Sequence, residues 1–482
     1  MKILSTTLLS VILVFTHFSG SNDKNNFDEL YRPQFHFSPE KNWQNDPNGL
    51  VYYEGEYHLF YQYNPNSNEW GYMHWGHAVS TDLLHWEHLP VAIYPDENST
   101  DKERCTAFSG SAIVDENNLL GKQEGNEKTL VIFYTSQNCG QRIAYSTDKG
   151  RSWKKYEGNP VIPFNDDDAS DPKVFWHDDS QKWVMVLYRR SSSDLKSRGM
   201  SIYNSDDLIN WTWKSHIPGF IDCPDLIKLN VTNQPVESKW VLFEGDGSYV
   251  IGDFDGETFT PETGKIKSDF GGNYYAAQTW SNIPKEDGRT IQIAWMKGGK
   301  YPGMPFTGQM SFPCEISLTK FNFGYKLVRN PIREIEKLHD KHYNWKNKNL
   351  IPGINENIVK NVKDDCLHIK GEFDLKTSDS FGFIIRNSRK TPGADIRYDV
   401  KRGTLTILSS TMPIVPIDNK ISLEILVDRS SVEIFANGGQ SVVSNCFNPE
   451  DGADELILFT NGGELEVVNL DMYKMNSIYS EK

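Results

Sequence analysis

The sequence of 482 residues lacks an excess of basic side chains: it has 50 Lys and Arg against 65 Asp and Glu, and a net charge of −15. Nucleic acids and anionic membranes are both bound by clustered Lys and Arg. We therefore expect neither a nucleic acid nor a membrane among the partners. Beyond the N-terminus, no stretch approaches the roughly 18 consecutive apolar residues of a transmembrane helix, so the mature chain is expected to be soluble.

Cysteine is scarce, and its spacing lacks the pattern of a metal site. The Cys-x-x-Cys spacing typical of zinc sites does not occur, and we expect no bound metal. Disulfides are compatible with an extracellular protein, but the sequence does not determine a pairing, and free buried thiols are the alternative for several positions. The six cysteines are at positions 105, 139, 223, 314, 366 and 446.

The N-terminus has the pattern of an export signal. Lys2 supplies a positive charge, a mostly apolar stretch continues to Phe15, and small residues follow at 19–21. This pattern predicts a secretory signal peptide over residues 1–21 and a secreted, extracellular protein; a buried first helix is the alternative. In a secreted glycoprotein, Asn-x-Ser/Thr sequons are candidate glycan sites on exposed loops. Three such sequons occur, at Asn98, Asn210 and Asn230.

A strand-like segment rich in β-branched and aromatic residues repeats through the first 300 residues. Such residues favour strands, and near-regular spacing of short strands is typical of repeat architectures. The segment occurs at residues 57–62, 130–135, 183–188, 240–244 and 291–295. We expect these segments to be inner strands that direct side chains towards a shared central pocket.

A second motif follows three of these segments and has the form Ser-x-Asp with a Trp four or five residues later. The Asp side chain is expected to close a turn and the Trp to pack between sheets. The motif occurs at residues 80–86, 146–153 and 205–211. Together, the five repeats predict a five-bladed β-propeller over residues 29–325; an array of β-sandwiches is the alternative.

The composition changes after the last repeat. Residues 326–365 are rich in Lys and Asn, and alternating strands follow at 381–386, 421–428 and 432–435. Ala-Asn-Gly-Gly at 436–439 is a hairpin signal. These features predict a second domain, a β-sandwich over residues 340–478. The predicted fold class is therefore all-β, a five-bladed propeller followed by a C-terminal sandwich.

Three carboxylates, Asp46, Asp171 and Asp222, precede the first, third and fourth repeats. Asp46 and Asp171 lie in segments that also read as ordinary turns, such as Asn-Asp-Pro-Asn-Gly at 45–49. In a propeller, however, equivalent positions of successive blades converge on the axis. Two converging carboxylates are what glycoside hydrolysis requires, so the three residues are candidates for catalysis.

These segments carry a resemblance to glycoside hydrolase family 32, which includes invertases, inulinases and other fructan hydrolases. The resemblance covers nearly the whole mature chain, including Asp-Arg-Ser-Ser-Val-Glu-Ile-Phe at 428–435 in the sandwich domain. An ordered set of motifs is far more specific than any one of them. In the first domain the matching segments are 43–49, 62–65, 70–71, 74–77, 108–111, 171–172, 223–226, 275–278, 302–305 and 310–315.

The resemblance implies a retaining enzyme that removes terminal β-D-fructofuranosyl residues from sucrose or fructans. Asp46 would be the nucleophile, Asp222 the acid/base, and Asp171 a residue that binds fructose hydroxyls and stabilises the oxocarbenium-like transition state. No cofactor is implied, because the reaction needs only carboxylates and water. The residues implied in substrate binding are Trp43, Asn45, Gln62, Trp70, Phe108, Ser109, Ser170, Tyr275 and Trp295.

Two positions depart from the family pattern. The family has Arg-Asp-Pro and Glu-Cys-Pro where this chain has Ser170-Asp-Pro and Asp222-Cys-Pro. The shorter acid/base is expected to fall about 1 Å short, which can slow catalysis by about 10²-fold. Ser170 removes a guanidinium that Arg189 or Arg190, at the end of an inner strand, could replace. The alternative to a slow enzyme is a secreted, catalytically impaired relative that binds fructosides or a protein.

Overall fold

The computed structural model describes residues 27–96, 105–164, 169–190, 198–353 and 357–480. The predicted signal peptide and the sequon at Asn98 lie outside these residues. The described chain is built mainly of strands, with a short 3-10 helix at Arg333–Leu338 between its two parts. Within these ranges, no helix is long and apolar enough to cross a membrane.

The first part of the chain forms antiparallel sheets that follow one another along the sequence. The first sheet contains β1 (Asn42–Tyr53), β2 (Glu56–Asn64), β3 (His74–Ser80) and β4 (Glu87–Ile93). The second contains β5 (Ala107–Asp115), β6 (Thr129–Ser136), β7 (Gly140–Ser146) and β8 (Lys154–Lys155). The third contains β9 (Ala169–His177), β10 (Lys182–Arg189), β11 (Gly199–Ser205) and β12 (Thr212–Pro218).

Two further strand groups complete this part and are joined at one residue pair. The fourth group contains β13 (Asp225–Val231), β14 (Gln234–Phe243), β15 (Ser248–Phe254), β16 (Phe259–Pro261) and β17 (Ile266–Lys267). The fifth starts with β18 (Tyr275–Thr279) and β19 (Thr290–Trp295). The next strand along the chain, β20 (Phe306–Thr307), pairs with β1 and so belongs to the first sheet. The fifth group then ends with β21 (Cys314–Phe321) and β22 (Gly324–Pro331). We assign one predicted blade to each of the five groups.

The five groups close into a ring through polar contacts near their first strands β1, β5, β9, β13 and β18. Closure of this kind leaves no long exposed sheet edge, and it excludes the alternative of separate sandwiches. In ring order the contacts are Gln62 to the Ala107 carbonyl, Ser111 to the Pro172 carbonyl, Lys173 to Asp225, Thr279 to Asp225, and the Leu50 amide to Gln278.

The repeated aromatic segments lie on β2, β6, β10, β14 and β19, which are the second strands of their groups. The expectation that they are inner strands was therefore wrong. A fully apolar segment packs best when sheets cover both its faces, and most of these residues are buried. The innermost strands instead carry the polar residues that line the axis, including Asp46 on β1 and Asp171 on β9.

The Ser-x-Asp motifs form the predicted turns. Asp82, Asp148 and Asp207 each accept backbone N–H hydrogen bonds from residues two to four positions later. The following tryptophans pack on rings of the neighbouring group, so each turn also joins two groups. The pairs are Trp86 with Trp280, Trp153 with Phe60, and Trp211 with Phe133.

The second part of the chain forms two stacked antiparallel sheets. The six-stranded sheet has the order β23-β33-β24-β29-β30-β31 and the five-stranded sheet the order β28-β27-β26-β25-β32. The predicted hairpin at 436–439 joins β30 and β31, and the predicted domain limits stay a prediction. The strands are β23 (His339–Leu350), β24 (Leu367–Asp374), β25 (Ser380–Asn387), β26 (Ala394–Asp399), β27 (Thr404–Ile407), β28 (Ser410–Pro413), β29 (Lys420–Asp428), β30 (Ser431–Ala436), β31 (Ser441–Cys446), β32 (Glu455–Asn461) and β33 (Leu465–Met475).

The structure shows the state of the cysteines and the exposure of two of the sequons. Cys105 and Cys139 form a disulfide, and the other four cysteines are free thiols. Asn210 is exposed in a turn, as expected, whereas Asn230 is exposed on strand β13 rather than on a loop.

A buried charge cluster joins the two parts of the chain. His36, with no exposed surface, lies 2.8 Å from Asp428 and 2.9 Å from Glu433, which belong to the six-stranded sheet. Asp428 also accepts the backbone N–H groups of Gln34 and Phe35. Burial alone lowers the pKa of His36, but hydrogen bonds and charges from the two carboxylates outweigh it and raise that pKa to about 9. The imidazole is therefore a cation at neutral pH.

Because His36 is charged in the folded protein, we expect the free energy of unfolding to decline at alkaline pH. The folded-state pKa of about 9 exceeds that of an unfolded histidine, so the contribution is complete below about pH 6.5 and is lost as the pH rises through 9. This contribution is worth about 3 kcal/mol. The free energy of unfolding, measured by urea titration from pH 6 to 9.5, should fall accordingly.

His36→Gln isolates this contribution. It should lower stability at pH 6 by about 3–5 kcal/mol, because two buried carboxylates lose their counter-charge, and it should flatten the alkaline decline. His342→Gln, at an exposed pair with Asp471, is the matched control and should change little. An equal alkaline decline in wild type and His36→Gln would contradict the assignment.

Candidate active site

A cavity of about 260 Å³ opens near the N-terminal ends of the innermost strands. It receives side chains from all five strand groups, since the ring brings these strand ends together. It contains all three predicted catalytic carboxylates and eight of the nine predicted binding residues. The lining residues are Asn45, Asp46, Gln62, Trp70, Phe108, Ser109, Ser170, Asp171, Arg190, Asp222, Cys223, Tyr275, Trp295 and Lys297.

Asp46 lies on β1, which runs through the predicted turn segment 43–49 as an irregular strand with bulges. Its carboxylate accepts hydrogen bonds from Ser109 Oγ at 2.7 Å and from Asn45 Nδ2 at 3.1 Å. Burial raises the pKa of Asp46 and the charge of Asp222 adds to this, while the two hydrogen bonds oppose it. Each of the two carboxylate oxygens thus accepts one of these hydrogen bonds, which together fix the orientation of the carboxylate.

Asp171 lies at the start of β9 with a positive φ of 61°. Its N–H donates to Thr135 Oγ1 at 2.9 Å, and its carboxylate accepts the Cys223 N–H at 3.2 Å and the Ser170 hydroxyl at 3.1 Å. Burial, followed by the charges of Asp222 and Asp46, raises the pKa of Asp171 to about 8. The negative charges of its two neighbours therefore favour a bound proton on Asp171.

Asp222 lies in the loop before β13, where it and Cys223 both have positive φ values, 48° and 38°. Tyr275 on β18 donates its hydroxyl to the Asp222 carboxylate at 2.9 Å. Gly245 is closely packed here: a Cβ at that position would lie 2.8 Å from the Asp222 Cβ. The backbone thus turns the short side chain into the cavity, and the tyrosine fixes its orientation.

The sulfur of Cys223 lies among the three carboxylates. Its Sγ is 3.7 Å from Asp46 Oδ2 and 3.8 Å from Asp171 Oδ2, and it is within 4.8 Å of an Asp222 oxygen. The Asp46 and Asp222 oxygens are therefore closer than the roughly 9.5 Å upper limit for glycosidase carboxyl pairs. Burial, Asp171 and Asp46 raise the pKa of the Cys223 thiol well above its usual value, so the sulfur is uncharged.

Aromatic rings form the walls and mouth of the cavity. Trp70 is 57% exposed, with its ring 6.2 Å from that of Phe108. Tyr275 contacts Trp295 edge-on at 6.4 Å. The predicted binding residue Trp43 is not part of the lining. It donates its indole N–H to Asn45 at 2.7 Å and packs on Trp295, because β1 turns its ring behind the wall.

Three lining residues were not among the predicted site residues. Cys223 was noticed only as part of a motif, and Arg190 only as a candidate substitute for a missing arginine. Lys297 gave no signal in the sequence; its Nζ lies 3.5 Å from the centre of the Tyr275 ring. Arg190 follows β10, a second strand rather than the predicted inner strand.

The whole described chain is similar to known carbohydrate-active enzymes. The profile for the N-terminal domain of glycosyl hydrolases family 32 matches residues 36–331, and that for the C-terminal domain matches residues 334–474. A levanase of Bacillus subtilis (strain 168) is 39% identical over 518 residues, covering 98% of this chain and 74% of that protein. Invertase 2 of Saccharomyces cerevisiae is 37% identical over 337 residues, 64% of this chain and 60% of that protein.

A solved structure supports the same relationship. The crystal structure of exo-inulinase from Aspergillus awamori superposes with a TM-score of 0.85 at 31% identity, covering 94% of this chain and 99% of that one. The prediction of a β-propeller followed by a β-sandwich is thereby confirmed. The chain belongs to glycosyl hydrolase family 32.

Proposed function

We propose that this protein is a retaining β-fructofuranosidase that releases terminal fructosyl residues from fructans and sucrose. The observation that carries the proposal is the convergence of Asp46, Asp171 and Asp222 on one sulfur atom in a single cavity. The names of the relatives, levanase, exo-inulinase and invertase, supply the substrate class. The cavity volume of about 260 Å³ suits one sugar ring.

Asp46 is the proposed nucleophile. Its Oδ atoms are oriented by Ser109 and Asn45, and these donors favour the charged form that an attack requires. The carboxylate attacks the anomeric carbon of the fructosyl unit while the bond to the leaving oxygen breaks. The product of this step is a fructosyl ester on Asp46, and water later cleaves that ester to release fructose.

Asp222 is the proposed acid/base. In its protonated form it gives a proton to the leaving oxygen in the first step, and the carboxylate so formed accepts a proton from water in the second. The Tyr275 hydroxyl at 2.9 Å holds the carboxyl in place throughout. Asp222 and Cys223 both have positive φ values, and both line the cavity from this loop.

Asp171 is the proposed partner of the sugar hydroxyls. Its pKa of about 8 reflects burial and two neighbouring carboxylates, both of which favour a bound proton. Hydroxyl groups of a sugar would donate hydrogen bonds to the carboxylate and stabilise its charged form. Binding of the ring is thereby coupled to the charge state of the cavity.

The alternative of a catalytically impaired relative gains no support. Each of the three carboxylates is present in the cavity, and the relatives bear the names of active enzymes. A ligand-binding protein has no need for three half-buried acids that repel one another when charged, since their proximity costs free energy. Both positions that depart from the family pattern still line the cavity. Ser170 donates a hydrogen bond to Asp171, and Asp222 accepts one from Tyr275.

We also propose that the protein is exported and glycosylated. The charged and apolar N-terminal segment supports export, and the fungal exo-inulinases among the relatives are named extracellular. The disulfide between Cys105 and Cys139 suits an oxidising compartment. The exposed Asn210 and Asn230 are the proposed glycan sites within the described residues.

Asp46→Asn tests the function. Wild type should release fructose from at least one of levan, inulin and sucrose, and the variant should lose about 10³-fold or more in kcat, because an amide cannot form the ester intermediate. Released fructose is the measurement. Asp253→Asn, an exposed carboxylate on β15, should keep wild-type activity. A wild-type chain that releases fructose from none of the three substrates would overturn the proposal.

Asp222→Asn tests the acid/base role. On sucrose its kcat should fall by about 10²–10⁴-fold, since the alkoxide leaving group needs a proton. On a β-fructoside with a nitrophenolate leaving group, formation of the fructosyl ester should fall far less, as a pre-steady-state burst of nitrophenolate would show. Equal losses of the first step on both substrates would refute the assignment of Asp222.

A further inference from the structure

The cavity holds two cationic side chains in different places. Lys297 lies over the Tyr275 ring, 3.5 Å from its centre, and so belongs to the wall beside Asp222. Arg190 also lines the cavity, and its guanidinium carbon is 5.9 Å from the centre of the Tyr188 ring. Tyr188 lies on β10, the strand that pairs with β9.

The strand register explains how Arg190 reaches the cavity. β9 and β10 are antiparallel, with Tyr188 opposite Ser170 and Arg189 opposite Ala169. Arg190 therefore lies just beyond the first residue of β9, beside the segment that presents Asp171. Because side chains alternate along an extended chain, Arg190 lies on the same side as Tyr188, which faces Ser170.

The small side chain at position 170 gives a long neighbour room. The Ser170 hydroxyl is used in a hydrogen bond to Asp171 at 3.1 Å, and it extends no further into the cavity. A guanidinium has five N–H donors in a rigid plane and forms paired hydrogen bonds with adjacent oxygen atoms. Such a group in the cavity that also contains Asp171 can bind two neighbouring hydroxyls of a sugar ring together with that carboxylate.

We propose that Arg190 is a substrate-positioning residue that binds the fructosyl hydroxyls from the end of the second strand of the third blade, in the space beside Ser170. This inference rests on the proposed function and adds to it the residue that fixes the orientation of the ring. The guanidinium that binds the sugar hydroxyls comes from the residue that follows β10 rather than from the segment that carries Asp171.

Arg190→Gln tests this inference through the split between KM and kcat. Loss of a charged hydrogen-bond donor should lower kcat/KM for fructosides by about 10- to 100-fold, mainly through KM. The inhibition constant of free fructose should rise by a similar factor. Arg189→Gln is the matched control, because Arg189 is adjacent in sequence but does not line the cavity, and it should leave both quantities unchanged.

A second variant separates sugar binding from a purely structural role. Ser170→Arg in the Arg190→Gln background returns a guanidinium to the same space and should recover most of the lost kcat/KM. If Arg190→Gln folds poorly, Arg190→Lys keeps the charge without the planar fork and should show an intermediate KM. Thermal unfolding of each variant identifies loss of fold.

The outcomes distinguish this inference from the proposed function. An active wild type whose KM and fructose inhibition constant are unchanged in Arg190→Gln would overturn the role of Arg190 alone. Failure of Ser170→Arg to recover any activity, with a folded protein, would also count against it. A wild type inactive on levan, inulin and sucrose would overturn both.

Discussion

Three aspartate side chains in one cavity, close enough to repel one another when charged, are the constraint on which this site depends. Asp46, Asp171 and Asp222 all lie around the sulfur of Cys223. Bringing carboxylates so close raises their proton affinity, and the pKa of Asp171 rises to about 8. Only a framework that is stable for other reasons can hold such a group together.

The ring supplies that framework, and it does so with the same strands. Two residues after Asp171, Lys173 on β9 forms a buried ion pair with Asp225 at 2.9 Å. Asp225 also accepts hydrogen bonds from Thr279, so three successive innermost strands are joined at one point. The three aspartates of the cavity, which have no such cationic partner in the described contacts, lie next to this ion pair. The backbone has positive φ values at Asp171, Asp222 and Cys223. Backbone conformations of this kind cost free energy and persist at functional sites when the surrounding structure enforces them.

The sequence predicted the architecture because repeats and alternation are local signals. The aromatic segments, the Ser-x-Asp turns and the hairpin at 436–439 were each readable from neighbouring residues, and the three carboxylates followed from their recurrence before the repeats. The order of strands within a blade was not readable, since an apolar strand between two others resembles an inner strand. For that reason the sequence predicts the repeats on the innermost strands, whereas they lie on the second strands.

Side-chain direction and strand register were also beyond the sequence. Trp43 belongs to a strong motif, yet its ring lies behind the cavity wall because β1 is irregular there. Lys297 enters the cavity from a segment without any motif. Arg190 reaches it only because Tyr188 is opposite Ser170. Such contacts depend on pairings between residues distant in sequence, which composition and spacing do not specify.

The most direct test of the central claim is a ¹³C NMR titration of the aspartate carboxyl carbons. The account predicts one carboxyl that titrates near pH 8, far above the value of about 3.9 for an ordinary Asp, and whose signal is absent from Asp171→Asn. In Asp222→Asn the same titration should move to lower pH, because the charge of Asp222, which raises the pKa of Asp171 more than that of Asp46 does, has been removed. A protein in which no aspartate titrates above pH 6, or in which the elevated titration is unchanged in Asp222→Asn, would contradict the account.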